Sequence, residues 1–137
     1  MEVEQHSVLN LAAAMTPLYP KGAVLSICNV GFDAFLLESI SALLNGRTIV
    51  MAEEAVCNMP SALAELICGY DAGFMALTPS RLLEYLKDAA FGKAMSHIEC
   101  IVCGGESMLR SFIMRFVSAL PYSYITSMVH PRPLCCE

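Results

Sequence analysis

Short apolar runs alternate with longer amphipathic stretches along this chain, with only a few turn residues between them, and that alternation restricts the fold more than any other feature. Ala23 to Cys28 is a compact apolar run after Pro20-Lys21-Gly22 and reads as a buried strand. Phe32 to Leu44 carries apolar residues at helical spacing and stops at Asn45-Gly46, a helix C-terminal signal. Arg47 to Ala52 is the next strand, and a helix from about Pro60 to Cys68 follows, with proline at its first position. Gly73 to Leu77 is a third strand. Thr78-Pro79-Ser80 then opens a helix through Leu86, a hydroxyl cap followed by proline. His97 to Cys103 is a fourth strand, and Gly104-Gly105-Glu106 turns into a helix running to about Ala119. Strands and helices alternating over short links predict an α/β fold, a layered and mainly parallel sheet flanked by helices. Nearly continuous apolar strands fit burial on both sheet faces.

Composition narrows the function classes. A chain of 137 residues holds one domain with a real core. Its 56% hydrophobic and 15% charged residues are greasy for that size, so part of its apolar surface is expected to lie against segments outside this sequence. The formal net charge of -5 leaves no electrostatic footprint for nucleic acid or an anionic membrane. The acidic start Met1-Glu2-Val3-Glu4 is unlike a signal peptide, and no apolar run reaches the ~20 residues that cross a bilayer. A cytoplasmic protein is expected. Seven cysteines, scattered through apolar segments, read as reduced and mostly buried thiols. Cys100 and Cys103 form a C-x-x-C, but within a strand and without a second ligand pair. His6, His97 and His130 share no ligand spacing, the nine methionines read as core filling, and Phe112, Phe116 and Leu120 read as a helix's buried stripe.

Three elements follow predicted strands, at the sheet edge where parallel α/β folds bind ligands. In Gly31-Phe32-Asp33-Ala34, Asp33 reads alone as the N-cap of the following helix; the alternative is a carboxylate that pairs with a cationic ligand group in a partly dry pocket. Leu77-Thr78-Pro79-Ser80 reads alone as a capped helix start. Cys103-Gly104-Gly105-Glu106 either serves turn geometry or lets a ligand approach the backbone closely.

The order of Phe32-Asp33, Asn45-Gly46-Arg47-Thr48-Ile49-Val50, Leu77-Thr78-Pro79-Ser80 and Cys103-Gly104-Gly105-Glu106 resembles the central stretch of nonribosomal peptide synthetase adenylation domains, and Glu4 to Leu11 looks like the segment after their phosphate-binding loop. The resemblance covers about residues 2 to 120 and implies part of the large N-terminal subdomain of an adenylate-forming (AMP-binding) enzyme. Such ligases use ATP and Mg2+ to turn an amino acid into its aminoacyl-adenylate, releasing pyrophosphate, and then load it onto the phosphopantetheine thiol of a peptidyl carrier protein, beside a condensation domain, in secondary metabolite biosynthesis. Asp33 matches the aspartate that binds the substrate α-ammonium, expected as a buried anion at the sheet rim. Ala34, Leu37, Ala76, Val102 and Gly104 match pocket-lining positions. Gly104, Gly105 and Glu106 match the turn along adenine and ribose, and Phe32 matches an aromatic close to the phosphate loop. Leu37, Ala76 and Val102 offer a polar side chain no partner, so an apolar amino acid of modest size is expected. A related acyl-CoA or aryl-acid ligase fits less well, because an acid substrate gives Asp33 no amine to hold.

The family's phosphate loop, its magnesium-binding acid, its later ribose-binding aspartate and its C-terminal lysine have no match here, and no catalytic or metal-ligating residue is assigned. The expectation is therefore an incomplete active site, inactive alone; the alternative is a non-catalytic remnant with weak nucleotide or amino-acid affinity. The stretch 1–124 reads as the partial adenylation domain and 125–137 as an aberrant tail. Read from the third base of the Ile125 codon, synonymous codons allow Asn-Val-Tyr-Gly-Pro-Ser/Pro-Glu-Thr-Thr-Val, the family's next element, so a frameshift after about Tyr124 is expected, with coincidence helped by codon freedom as the alternative.

Overall fold

The computed structural model describes residues 4–106 and the strand at 124–128. Five strands, β1 (Ala23–Ser26), β2 (Ile49–Met51), β3 (Ala72–Leu77), β4 (Cys100–Gly104) and β5 (Tyr124–Met128), form one sheet in the order β2-β1-β3-β4-β5. Every neighbouring pair is parallel. The layered α/β architecture expected from the alternation is the one the chain adopts.

Side chains alternate across the sheet and build two cores. On one face Val24, Phe74, Ala76, Cys100 and Val102 pack with residues of α1 (Gln5–Met15), α2 (Ala34–Glu38) and α3 (Ile40–Leu44). On the other, Leu25, Met75, Leu77, Ile101 and Cys103 pack with α4 (Glu54–Cys57), α5 (Pro60–Tyr70), α6 (Pro79–Tyr85) and α7 (Ala89–Ala94). All six residues of β3 are buried, which is why its sequence runs apolar without alternation. Leu9, Leu43 and Leu44 stay exposed on α1 and α3. Among the described residues no helix is long and apolar enough to cross a membrane.

Most expected boundaries move by one to three residues, for visible reasons. β1 stops at Ser26 rather than Cys28, because the Ile27 and Cys28 N–H groups leave the ladder for the Glu38 carboxylate. The single helix expected over Phe32 to Leu44 is two. Ser39, between them, adopts φ -122 and ψ -94 and turns its hydroxyl back onto the Phe35 carbonyl four residues earlier, which bends helices. Asn45-Gly46 does end the second piece, with Gly46 at φ 67. α5 overruns Cys68 to Tyr70 and is closed by Asp71 in the left-handed conformation at φ 49, so the expected glycine signal was missing. β4 begins at Cys100, because Met95–His97 is a 3-10 turn continuing α7. Short α4 carries too few residues to show a period, whereas α7 had a readable start: Asp88 Oδ1 accepts from the N–H groups of Ala90 and Phe91 at 2.8 and 3.0 Å. β5 spans Tyr124–Met128, across the expected boundary at 124/125. The helix expected to reach Ala119, its Phe112, Phe116 and Leu120, and His130 lie outside the described residues.

One glycine is required by close approach. A Cβ on Gly22 would sit 2.3 Å from the Asp71 carbonyl oxygen, the same oxygen that accepts the Ala23 N–H at 3.1 Å. Strand β1 therefore enters the sheet through a gap only hydrogen fits.

Candidate functional site

The carboxyl ends of β3 and β4 carry Ala76, Val102 and Gly104, and α2 carries Ala34 and Leu37 with Asp33 at its start. Asp33 caps α2, its Oδ1 accepting the Ala34 N–H at 2.8 Å. It is exposed, as is Phe32 at 67%. The expectation of a buried anion here is corrected: the Asp33 side chain is exposed and bonded to the Ala34 N–H of the first turn, and the buried carboxylate of this segment is Glu38 instead.

The apolar positions do come together. Leu37, Ala76 and Val102 are buried at 1%, 1% and 3% exposure, and Ala34 packs partly buried against the same cluster. Ala76 faces Val102 directly across the β3–β4 ladder, and Gly104, two residues on, belongs to the same face. These side chains pack against one another as a wall of small and medium hydrocarbon surface.

The two loop elements are tied to each other. Thr78 Oγ1 caps α6 by accepting the Arg81 N–H at 3.4 Å. Glu106 reaches across from the glycine turn and accepts the Ser80 hydroxyl at 2.6 Å and the Ser80 N–H at 3.1 Å. The Ser80 hydroxyl beside it lowers the Glu106 carboxyl below the ordinary carboxylate range. This tie is accordingly intact above that range and lost as pH falls through the lowered value. Gly105 takes φ 79, where a side chain is strained, and with Glu106 leaves the main chain of the turn open to solvent. An open, fixed backbone turn at a sheet's carboxyl edge suits the flat flank of a nucleotide.

Glu38 was missed. It is 0% exposed, its Oε2 accepts the N–H groups of Ile27 at 2.9 Å and Cys28 at 2.8 Å, and its Oε1 accepts that of Ala76 at 3.0 Å. Burial raises its pKa, and the three main-chain bonds pull it back. All three partners are donors, so the geometry is that of a carboxylate. A signal existed: Ala34, Leu37, Glu38, Ser41 and Ala42 follow the helical period, which puts Glu38 on the inner stripe.

A separate cleft of about 250 Å³ opens at the ends of β1 and β2, lined by Ser26, Cys28, Met51, Glu54, Cys57 and Arg81 among others. None of the expected pocket positions borders it. Its cation is already engaged, Arg81 donating to the Tyr85 hydroxyl and to the Cys57 carbonyl. The cleft and the β3–β4 wall are separate features of that edge.

Cys100 and Cys103 belong to different cores, on opposite faces of the sheet, so they neither pair nor share a metal. Burial pushes their thiols up to about 11 and about 12. In native protein, iodoacetamide is expected to modify exposed Cys68 readily and to reach Cys100 and Cys103 only in denaturant; mass spectrometry of the labelled peptides checks the order. Among the described residues no group of three or more His, Cys, Asp or Glu could hold a metal ion.

A family model described as AMP-binding enzyme matches residues 2–129. A dimodular nonribosomal peptide synthase of Bacillus subtilis (strain 168) is 32% identical over 81 residues, 57% of this chain and 3% of that protein. Tyrocidine synthase 3 of Brevibacillus parabrevis is 27% identical over 89 residues, 65% of this chain and 1% of that protein. The solved structure of the nonribosomal peptide synthetase FmoA3, in an AMPPNP-bound form, has a TM-score of 0.77 at 20% identity, covering 94% of this chain and 14% of that one. PA1221, a synthetase protein containing adenylation and PCP domains, has a TM-score of 0.75 at 21% identity, covering 91% and 25%. The chain thus spans a small part of every one of these proteins, and the structural likeness is one of fold.

Proposed function

The chain belongs to the AMP-binding enzyme family, and we propose that it forms the substrate-side wall and the nucleotide-side turn of an adenylation domain that activates an amino acid for nonribosomal peptide synthesis in the cytoplasm. The observation that carries this reading is the assembly of Ala34, Leu37, Ala76 and Val102 in one apolar cluster beside the Asp33 cap and the Gly104-Gly105-Glu106 turn.

In this reading Asp33 holds the substrate ammonium, and the seated amino acid itself covers the carboxylate and strengthens the contact. The side chain lies against Leu37, Ala76 and Val102, with Gly104 at the mouth. These surfaces carry no polar side-chain partner, so a hydroxyl or charge buried there costs a few kcal/mol, and an apolar amino acid of modest size is the substrate. ATP lies with adenine and ribose along Gly104 to Glu106 and its phosphates toward Phe32. The substrate carboxylate attacks the α-phosphorus, pyrophosphate leaves, and the resulting acyl-adenylate is passed to the phosphopantetheine thiol of a peptidyl carrier protein, with AMP released; a condensation domain uses the thioester. Mg2+ would neutralise phosphate charge in that step, and we attach no residue of this chain to it.

ATP–pyrophosphate exchange by the complete synthetase tests the reading. Apolar amino acids such as alanine, valine and leucine are expected to support exchange at least about tenfold faster than aspartate, lysine or serine. Faster exchange with the polar set would overturn the apolar pocket. Calorimetric binding of ATP or amino acid with no exchange at all would favour a non-catalytic binding module.

A further inference from the structure

The strand order β2-β1-β3-β4-β5 reverses direction between β1 and β3: β2 is laid down on one side of β1, and every later strand on the other. The connections divide in the same way, α2 and α3 packing on one face and α5 to α7 on the opposite one. In open parallel sheets a crevice forms at this reversal, outside the carboxyl ends of the strands, and main-chain N–H groups there commonly receive the ligand.

Here the crevice is filled from within. The β1–β3 ladder ends at the Leu25–Met75 pair. Just beyond it, where the two strands part, the N–H groups of Ile27, Cys28 and Ala76 all point to one carboxylate, that of Glu38. These partners lie 11, 10 and 38 residues away in sequence, so a single side chain joins the end of β1, the end of β3 and the end of α2. An isolated buried carboxylate is strongly unfavourable, and three N–H donors are what make it tolerable. Deleting it would leave three buried donors without an acceptor.

We propose that Glu38 is a positioning residue that seals the β1/β3 crevice and thereby sets the amino-acid wall on β3 and β4. The proposal rests on the amino-acid-activating reading above. Glu38 follows Leu37, whose side chain is in that wall and whose carbonyl accepts the Tyr19 hydroxyl at 2.5 Å. It holds Ala76, a second wall residue, by its main chain, and it ends the helix that Asp33 begins. The groups assigned to ammonium and side chain are thus referenced to one carboxylate, whereas the nucleotide turn is fixed separately by Glu106 and Ser80. Loss of the seal therefore affects the amino acid far more than ATP.

Glu38→Gln in the complete synthetase is the discriminating variant. Its amide keeps the shape but offers only one acceptor atom, so either β1 or β3 faces a nitrogen that cannot accept. Expected is a rise of roughly tenfold or more in KM for the amino acid, with KM for ATP within about twofold of wild type. Equal rises for both substrates, or none, would overturn the positioning role. Amide hydrogen exchange reads the seal independently of activity. Ile27, Cys28 and Ala76 are expected to be slow in wild type and faster in Glu38→Gln by about an order of magnitude, with Ile67 on α5 and Phe91 on α7 unchanged. Fast exchange of these three amides in wild type would overturn the seal even if the variant fails to fold. Absence of amino-acid-dependent pyrophosphate exchange in wild type would instead remove the functional reading, and the amide rates would still judge the seal.

Discussion

Replacing Asp33 with alanine in the complete synthetase is expected to lower kcat/KM for amine-bearing substrates by roughly 10- to 100-fold, the scale of one charge-assisted hydrogen bond. The corresponding acid without its amine should be much less affected, because it never made the contact. Pyrophosphate exchange with each pair of substrates measures the difference. Asp33 is exposed and caps the Ala34 N–H. Loss of an N-cap costs about 0.5–2 kcal/mol of stability, which lowers the amount of folded protein but not the preference between amine and acid. Asp33→Asn keeps a cap and removes the charge, so it should reproduce the change in preference with less loss of stability. An equal fall for both substrates would mean that the aspartate serves the helix alone.

The largest stability effect is expected at Phe74. It is 0% exposed at the centre of the central strand, and its ring centroid lies 4.9 Å from that of Tyr19. Truncation to alanine deletes a buried ring that the surrounding strands cannot fill, a loss of about 3–5 kcal/mol. For a domain that is stable by about 5–15 kcal/mol, that is a large share of the total. Phe32→Ala is the natural control. With 67% of the residue exposed, its removal should shift stability by no more than about 0.5 kcal/mol. Urea midpoints of the two variants separate these cases. Similar shifts would show that Phe32 packs against the fold as Phe74 does, and its assignment to the nucleotide side would lose its basis.

The fold was legible because its main signals are local. Strand runs buried on both faces, the Thr78-Pro79 start and the Asn45-Gly46 stop each depend on a few neighbouring residues, and each lies where the residues indicated. The misread boundaries depend on distant partners. Nothing adjacent to Ile27 and Cys28 shows that their N–H groups are claimed by a side chain 11 and 10 residues on, nor does Ser39 announce that its hydroxyl will split a helix. Asp71 stands where a glycine usually marks a helix end, and that substitution hid the end of α5.

The candidate site divides in the same way. The wall of Leu37, Ala76 and Val102 was visible as apolar residues at the ends of strands and on an inner helix face. The carboxylates were harder, since a formula of residue types does not say which acid is inside. Asp33 was expected as the buried one because it matches the family's ammonium-binding aspartate; Glu38, on the inner stripe of a helix, is the one the sheet encloses. A stripe of period 3.6 that includes a single acid is the sign to look for, because an inward carboxylate must find donors.

The position of a bound aminoacyl group is the most direct test of this site. A crystal structure of the complete adenylation domain with a non-hydrolysable adenylate of an apolar amino acid decides it. The ammonium nitrogen is expected within about 2.7–3.2 Å of an Asp33 carboxylate oxygen, with the side chain against Leu37, Ala76 and Val102 and the adenine along Gly104 to Glu106. An adenylate seated in the cleft beside Arg81, with Asp33 turned to solvent, would contradict it.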